Sequence, residues 1–311
     1  MFLQSGRSSD GKCGEYGEFG KYGDTVNMGD KGKMESTKKT EMNEKIQIEA
    51  VKTEGFTMEY CRFGKGKRTF VIIPGLSVQS VMPLVDIIAD AYRELTEDFT
   101  VYVFDRRKDL PEVYRIEDAA RDTAEAMEKL GLEDADLFGA SQGGMIVMKI
   151  AMDHPELVHK LVVGSSSPVI SDGLFNRFEE WIRLAELGDA EKLYLSFGEM
   201  VYPKEVFEQA RVMLVNTAAT VTKEDLSRFL TLLNGMHGLD LSGDLGRISC
   251  PVLVLGSEDD RVLGVEGSKQ IYDGLTDQAE SELYLYNGYG HAAYDCAPDY
   301  KTRIHRFLCR N

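Results

Sequence analysis

The sequence predicts an α/β protein with a doubly wound, mostly parallel sheet, and three observations indicate it. Short apolar runs bounded by turn residues recur along the chain, as is typical of strands buried on both faces of a parallel sheet. Amphipathic helical patterns separate most of these runs. The alternation lapses between about residues 169 and 246, where the patterns are helical only, and this indicates a helical insertion between two strands.

The first predicted strands form an antiparallel hairpin at a sheet edge. The segment IQIEAV, from Ile46, alternates apolar and polar residues, and FTMEYCRF does so loosely after Gly55. The predicted buried strands that follow are TFVIIPG (69–75), FTVYVFD (99–105), ADLFGAS (135–141), KLVVGSS (160–166), CPVLVLGS (250–257) and ELYLYNG (282–288).

The predicted helices lie between these strands. Apolar residues at helical spacing mark helices within 81–95, 116–130 and 300–308, and the run MIVMKIAM after Ser141 predicts a central buried helix. In the insertion, three helical patterns begin at Phe175, Val206 and Leu226.

Three parts of the chain are expected to differ in character. Residues 1–44 are rich in Gly, Lys, Glu and Asp without any regular period, so they cannot bury enough apolar surface to offset their conformational entropy. We expect a disordered tail there. The α/β core is expected at 45–168 and 247–311, with a helical cap at 169–246.

Charge and cysteine content narrow the function classes. Against 36 Lys and Arg there are 52 Asp and Glu, and a net charge of −16 disfavours nucleic acid and anionic membrane surfaces as partners. No apolar run approaches the roughly 20 residues of a membrane span, and the start MFLQSGRSSD lacks a signal-peptide pattern. Five widely spaced cysteines without a CxxC motif favour a cytoplasmic location.

The segment Gly139-Ala140-Ser141-Gln142-Gly143 lies where a predicted strand turns into a predicted helix. A serine at such a sharp turn has its Oγ exposed at the end of the sheet, and the glycines avoid clashes with strand and helix. The G-x-S-x-G pattern alone also fits an ordinary tight turn. Its position between strand and helix favours Ser141 as a nucleophile.

A nucleophilic serine needs a base, and the base needs a carboxylate to orient it. Of five histidines, only His291 follows a predicted strand at its carboxyl end, where open α/β sheets carry their sites. The acid is expected in Glu258-Asp259-Asp260, directly after the strand PVLVLG. The residues themselves leave open which of the three it is.

With these motifs, residues 46–310 resemble α/β-hydrolase fold proteins that carry a helical cap. The order Ser–Asp–His of that fold matches Ser141, Asp260 and His291. The resemblance favours Asp260, because one variable and two apolar residues follow it, whereas a count from Gly256 favours Asp259.

The resemblance also implies an oxyanion hole formed by the backbone N–H groups of Leu76 and Gln142. Pro74-Gly75 stands where relatives often have His-Gly, which leaves the backbone donors intact. Phe178, Trp181 and Met213 of the insertion are candidate substrate-binding residues, although aromatic residues at helical spacing are equally typical of core.

The sequence therefore predicts a serine hydrolase that cleaves a small or medium acyl ester or lactone through an acyl-enzyme, with no metal or organic cofactor implied. An acyltransferase or a carbon–carbon bond hydrolase with the same triad is an alternative. So is a non-catalytic ligand-binding member of the fold.

Overall fold

A computed structural model of the chain describes residues 45–275 and 280–310. The predicted disordered tail at 1–44 lies outside the described residues. Within these two ranges, no helix is long and apolar enough to cross a membrane. The cysteines of the same ranges, which are Cys61, Cys250, Cys296 and Cys309, form no disulfide.

Eight strands form one sheet in the order β1-β2-β4-β3-β5-β6-β7-β8. The strands are β1 (Ile48–Lys52), β2 (Thr57–Gly64), β3 (Arg68–Ile73), β4 (Phe99–Arg107), β5 (Ala135–Ala140), β6 (Val158–Gly164), β7 (Val252–Ser257) and β8 (Glu282–Tyr286). β2 is antiparallel to β1 and to β4, and every other neighbouring pair is parallel. The predicted edge hairpin and the mostly parallel sheet are confirmed.

Helices connect most of the parallel strands, as the alternating pattern predicts. They are α1 (Val85–Ala91), α2 (Ile116–Lys129), α3 (Gln142–Asp153), α4 (Asp172–Phe175), α5 (Glu179–Glu186), α6 (Ala190–Val201), α7 (Lys204–Ala218), α8 (Lys223–Asn234), α9 (Val265–Gly274), α10 (Ala293–Cys296) and α11 (Tyr300–Leu308). The predicted buried helix after Ser141 is α3, and ten of its twelve residues are buried.

The sheet buries apolar side chains on both faces because successive strand residues point to opposite sides. Along β3, Val71 and Ile73 pack in the core formed with α2 and α3. Phe70 and Ile72 pack in a second core with α1 and α11. Every residue of β5 and β7 is buried, which is why their sequences contain almost continuous apolar runs.

The insertion between β6 and β7 contains five α-helices, α4 to α8, where the sequence patterns predict three. The pattern from Phe175 is split, because a 3-10 turn at Asn176–Phe178 separates α4 from α5. Helix α6 was not predicted at all. Its buried residues Leu193, Tyr194 and Val201 do have helical spacing, and the Asp189 side chain caps it by accepting a hydrogen bond from the Lys192 N–H.

The insertion contacts the carboxyl edge of the sheet. Its hydrogen bonds reach loops or residues at the carboxyl ends of five strands, through the pairs Gln79–Asp225, Asp105–Arg228, Gln142–Leu232, Arg261–Tyr202 and Ala292–Val201. The same edge of the sheet carries Ser141.

Candidate active site

Ser141 lies in a strained backbone conformation between β5 and α3, with φ 54° and ψ −120°. Such a positive φ is rare for a residue with a Cβ and costs about 1–3 kcal/mol. Hydrogen bonds hold it in place. The Ser141 N–H donates to the Gly164 carbonyl at 2.8 Å, and the Ser141 carbonyl accepts from Ser166 Oγ at 2.8 Å. Both bonds reach the carboxyl end of β6 and the residues that follow it, so this segment holds Ser141 in the strained conformation.

The glycines flanking Ser141 are required by close backbone contacts. A Cβ at Gly139 would lie 2.2 Å from the Gly143 carbonyl oxygen, and a Cβ at Gly143 would lie 2.0 Å from the Ile73 carbonyl oxygen. Real Cβ atoms do not come so close to backbone atoms. The turn therefore has the tight geometry that the G-x-S-x-G pattern predicts for this position.

His291 and Asp260 form a buried pair after β8 and β7. His291 Nδ1 lies 2.9 Å from Asp260 Oδ2, and the two residues are 2% and 8% exposed. Asp260 Oδ1 accepts hydrogen bonds from the Val262 and Leu263 N–H groups at 2.8 and 3.0 Å. Those two bonds hold the carboxylate in the orientation in which its other oxygen, Oδ2, contacts the imidazole.

The charge of Asp260 determines which nitrogen of His291 is basic. Burial raises the pKa of Asp260, but the charge interaction and hydrogen bond with His291, together with the two backbone N–H groups, outweigh burial and leave the pKa below its ordinary value. An ionised carboxylate only accepts hydrogen bonds, so Nδ1 donates. The Nε2 atom of His291 is then the basic nitrogen.

The neighbouring acid, Asp259, has a different position. Its carboxylate accepts hydrogen bonds from the Gly288 and Gly290 N–H groups, each at 3.1 Å, and from Ser257 Oγ at 2.8 Å. It thereby holds the backbone of the loop that carries His291. The structure brings Asp260 rather than Asp259 to the imidazole.

The predicted oxyanion donors belong to segments that adjoin Ser141. Gly75 precedes Leu76, and a Cβ on Gly75 would lie 3.2 Å from Ser141 Cβ, so this loop packs directly against the serine. Gln142 is the first residue of α3. The first N–H groups of a helix have no partner within the helix and carry its positive dipole end, which suits a developing negative charge.

A small cavity of about 30 Å³ lies beside the turn that carries Ser141. Its walls come from the loop after β3, the sheet, the insertion and α10. The lining residues are Ile72, Ile73, Pro74, Gly75, Leu76, Ser77, Val81, Tyr92, Phe138, Ala140, Phe197, Val201, Tyr202 and Tyr294. The lining is mainly apolar or aromatic, which suits the acyl part of a substrate.

The candidate substrate-binding residues of the sequence analysis do not line this cavity. Phe178 and Trp181 are 1% and 2% exposed and stack on each other with ring centroids 5.2 Å apart. The ring of Trp181 also packs against the ring of Phe197, with centroids 4.6 Å apart. Phe178 and Trp181 therefore lie behind Phe197, which lines the cavity.

Met213 is 39% exposed, whereas the predicted substrate-binding role requires a side chain that faces the site. The buried face of α7 is formed by Phe207, Ala210, Leu214 and Ala218. Met213 lies about 100° away from Leu214 around the helix axis and therefore points away from that face.

The cavity residues contributed by the insertion, which the sequence analysis missed, lie in and after α6. Phe197 and Val201 belong to that helix and Tyr202 follows it. Tyr202 also lines an open groove of about 610 Å³ whose walls include Asp260 and Gly290. The helical spacing of the α6 residues was the signal that could have identified them.

Among the described residues, two clusters have the side chains to bind a metal ion: Asp98 with His305 and Cys309, and Glu128 with His154 and Glu156. Asp98 precedes β4, and Glu156 precedes β6. Both clusters therefore lie towards the amino ends of strands, at the opposite edge of the sheet from Ser141. Neither adjoins the His291–Asp260 pair.

Sequence comparison finds a match to the profile of the alpha/beta hydrolase family over residues 70–299. A putative carbamate hydrolase RutD from Rhizobium rhizogenes is 26% identical over 223 residues, 69% of this chain and 84% of the relative. A putative esterase/lipase from Haemophilus influenzae is 27% identical over 194 residues, 62% of this chain and 66% of the relative. A 2-hydroxy-6-oxononadienedioate/2-hydroxy-6-oxononatrienedioate hydrolase from a Pseudomonas species is 27% identical over 248 residues, 73% of this chain and 81% of the relative.

Two solved structures illustrate the likeness in fold. MGS-M2, an alpha/beta hydrolase enzyme from a Medee basin deep-sea metagenome library, has a TM-score of 0.75 at 19% identity, covering 85% of this chain and 98% of its own. The enol-lactonase from Burkholderia xenovorans LB400 has a TM-score of 0.72 at 15% identity, covering 84% of this chain and 100% of its own.

Proposed function

The chain is a hydrolytic enzyme of the alpha/beta hydrolase family, and we propose that it is a serine hydrolase cleaving a small or medium acyl ester or lactone. The observation that carries this proposal is the strained turn at Ser141, on the same sheet edge as the buried His291–Asp260 pair. A strained serine conformation that costs stability is expected where the side chain is needed for a reaction.

In the proposed mechanism, Ser141 Oγ attacks the substrate carbonyl carbon while His291 Nε2 takes the hydroxyl proton. Asp260 keeps the proton on Nδ1 and stabilises the imidazolium ion. The N–H groups of Leu76 and Gln142 bind the oxyanion of the tetrahedral intermediate. His291 then protonates the leaving group, and a water molecule activated by the same nitrogen hydrolyses the acyl-enzyme.

The cavity supports a short acyl group. A volume of about 30 Å³ beside the Ser141 turn leaves room for only a few atoms. We treat residues 169–246 as a cap on the core formed by 45–168 and 247–311, because the insertion contributes Phe197, Val201 and Tyr202 to that cavity. The cap would therefore limit the length of the acyl chain.

A carbamate is a second candidate substrate, favoured by the relatives named as putative carbamate hydrolases. Attack on a carbamate carbonyl gives a tetrahedral intermediate with the same oxyanion, so it requires the same residues. Release of an amine or ammonia from a carbamate, measured against alcohol release from a matched ester, separates the two.

The proposal is tested with p-nitrophenyl esters from acetate to octanoate. We expect the highest kcat/KM for the shortest chains. Ser141→Ala should lower kcat by about 10³-fold or more, because loss of one member of a catalytic triad removes the covalent route. Ser80→Ala is the matched control, since Ser80 lies in the same loop after β3 but outside the cavity lining, and its Oγ accepts a hydrogen bond from the Met82 N–H at 3.2 Å.

We expect the Ser80→Ala enzyme to keep kcat within about threefold of wild type, because a loop hydroxyl outside the cavity is far less important than the nucleophile. Circular dichroism should show both variants folded. A Ser141→Ala enzyme that keeps a tenth of the wild-type turnover would remove Ser141 from the mechanism.

A further inference from the structure

An arginine is buried near the carboxyl end of β4. Arg106 is only 4% exposed, although arginine is rarely buried without several partners. Burial lowers the pKa of its guanidinium group to about 10, so the group is still a cation at neutral pH. A buried cation at the edge that carries Ser141 needs an explanation.

The contacts of Arg106 connect two segments that lie on either side of Ser141 in the fold. Its Nη2 donates to the Pro74 carbonyl at 2.7 Å and to Gln142 Oε1 at 3.3 Å. Pro74 lies two residues before Leu76, and Gln142 follows Ser141 directly. One guanidinium group therefore anchors the two segments that carry the proposed oxyanion donors.

Two residues of helix α8 in the insertion belong to the same hydrogen-bond network as Arg106. Asp105 Oδ1 accepts hydrogen bonds from the Arg106 N–H at 2.7 Å and from Arg228 Nη2 at 2.5 Å. Gln142 Nε2 donates to the Leu232 carbonyl at 2.7 Å. Gln142 is thus fixed at both ends of its side-chain amide.

The network carries an excess of positive charge. Its two guanidinium groups accompany one carboxylate: Arg228 pairs with Asp105, whereas the Arg106 guanidinium donates to the neutral oxygens of Pro74 and Gln142. Within the described part of the chain, Arg106 Nε and Arg228 Nη1 have no hydrogen-bond partner. Unpaired buried donors are unfavourable. An excess of positive charge beside Gln142 is expected, however, where negative charge develops on a reacting group.

We propose that Arg106 is a positioning residue that keeps the Leu76 and Gln142 N–H groups in register for the oxyanion, through the Pro74 carbonyl and the Gln142 side chain. This inference rests on the proposed function, since it assigns a role within the same site. Arg106 itself binds no substrate. It acts through the two backbone segments that it joins.

The test compares Arg106→Met with Arg107→Met. Arg107 is the next residue, and it also donates hydrogen bonds to backbone carbonyls, those of Gly55 and Asp109, both at 2.8 Å. None of the Arg107 hydrogen bonds reaches Pro74 or Gln142. Arg107→Met therefore removes a neighbouring arginine and its backbone contacts while leaving the oxyanion segments anchored.

Each enzyme is assayed with a p-nitrophenyl ester and the corresponding thionoester, in which sulfur replaces the carbonyl oxygen. Sulfur is larger and accepts hydrogen bonds weakly, so the preference for the oxygen ester measures how well the oxyanion donors are placed. We expect Arg106→Met to lower kcat for the oxygen ester about 10- to 100-fold, less than outright loss of a donor. KM should change little, and the preference for the oxygen ester should fall about tenfold.

Arg107→Met should keep the wild-type preference. An equal preference in the two arginine variants would overturn the inference, as would a change in KM alone. If Arg106→Met does not fold, Gln142→Leu decides the question, because it removes the side-chain anchor and leaves the Gln142 N–H. An unchanged preference in Gln142→Leu would then overturn the inference.

Ser141→Ala is assayed alongside. An inactive Ser141→Ala enzyme together with an unchanged preference in Arg106→Met rejects the positioning role alone. An active Ser141→Ala enzyme rejects the proposed serine mechanism and, with it, the oxyanion role of Arg106.

Discussion

The turn at Ser141, on the carboxyl edge of the sheet, and the helical insertion differ in how tightly their backbones are constrained. At the edge, added Cβ atoms at Gly139 and Gly143 would lie 2.2 and 2.0 Å from backbone oxygens. In the insertion, Gly173, Gly188, Gly238 and Gly243 have no atom within 4 Å of such a Cβ. The insertion is equally tight at Gly235, where an added Cβ would lie 2.0 Å from the Tyr114 carbonyl oxygen.

This difference corresponds to a division of roles. Reacting groups need positions fixed to within a fraction of an ångström, and a parallel sheet with buried strands provides that rigidity. A wall that determines substrate size tolerates more variation, because each methylene changes selectivity only moderately. We therefore expect changes at the sheet edge to act on kcat or folding, and changes in the insertion to act on substrate preference.

The largest expected effect is a difference in kcat between variants of two adjacent acids at the sheet edge. Asp260→Asn should lower kcat about 10³- to 10⁴-fold, because an amide at this position favours the wrong tautomer of His291. Asp259→Asn should lower it less than about tenfold, since Asp259 contacts only the backbone of the His291 loop and Ser257. Steady-state kinetics with one short ester measures both. A more damaging Asp259→Asn would contradict the assignment of the acid.

The next effect compares a glycine from each region by urea unfolding. Gly143→Ala should lower the free energy of unfolding by about 2 kcal/mol or more, because its Cβ would collide with the Ile73 carbonyl. Gly173→Ala, in α4 of the insertion, should raise it by roughly 0.5 kcal/mol by restricting the unfolded chain. Equal changes in the two variants would remove the contrast between the regions.

The smallest effect concerns substrate size. Phe197→Ala should raise kcat/KM for hexanoate relative to acetate about tenfold, because it enlarges the cavity wall. Met213→Ala should leave that ratio within about twofold, since Met213 is exposed and lies outside the cavity lining. A larger shift with Met213→Ala would restore the role that the sequence pattern suggested for it.

The sequence predicts the sheet edge well because its physical signals are local. Strands buried on both faces require continuous apolar runs, and the tight turn at Ser141 requires its glycines at fixed positions. The choice between Asp259 and Asp260 was harder. Adjacent side chains in a tight turn point in different directions, and those directions depend on backbone angles that residue type does not determine.

The contacts between the insertion and the sheet could not be predicted from the sequence. The Arg228–Asp105 pair joins residues 123 positions apart, and the Gln142–Leu232 bond joins residues 90 positions apart. A charged residue at the end of a strand usually indicates solvent exposure. Asp105 and Arg106 are instead buried, and α8 contacts Asp105 through Arg228. Helix α6, in contrast, has a local signal in the sequence, because its buried residues Leu193, Tyr194 and Val201 have helical spacing.

Covalent labelling by a fluorophosphonate tests the central claim most directly, because the probe reacts only with an activated nucleophile. The account predicts one adduct per chain by intact-protein mass spectrometry, located on Ser141 by peptide mapping. It also predicts no adduct on Ser141→Ala and labelling slowed at least tenfold in Asp260→Asn. A folded wild-type enzyme that stays unlabelled, or an adduct on another serine that persists in Ser141→Ala, would contradict it.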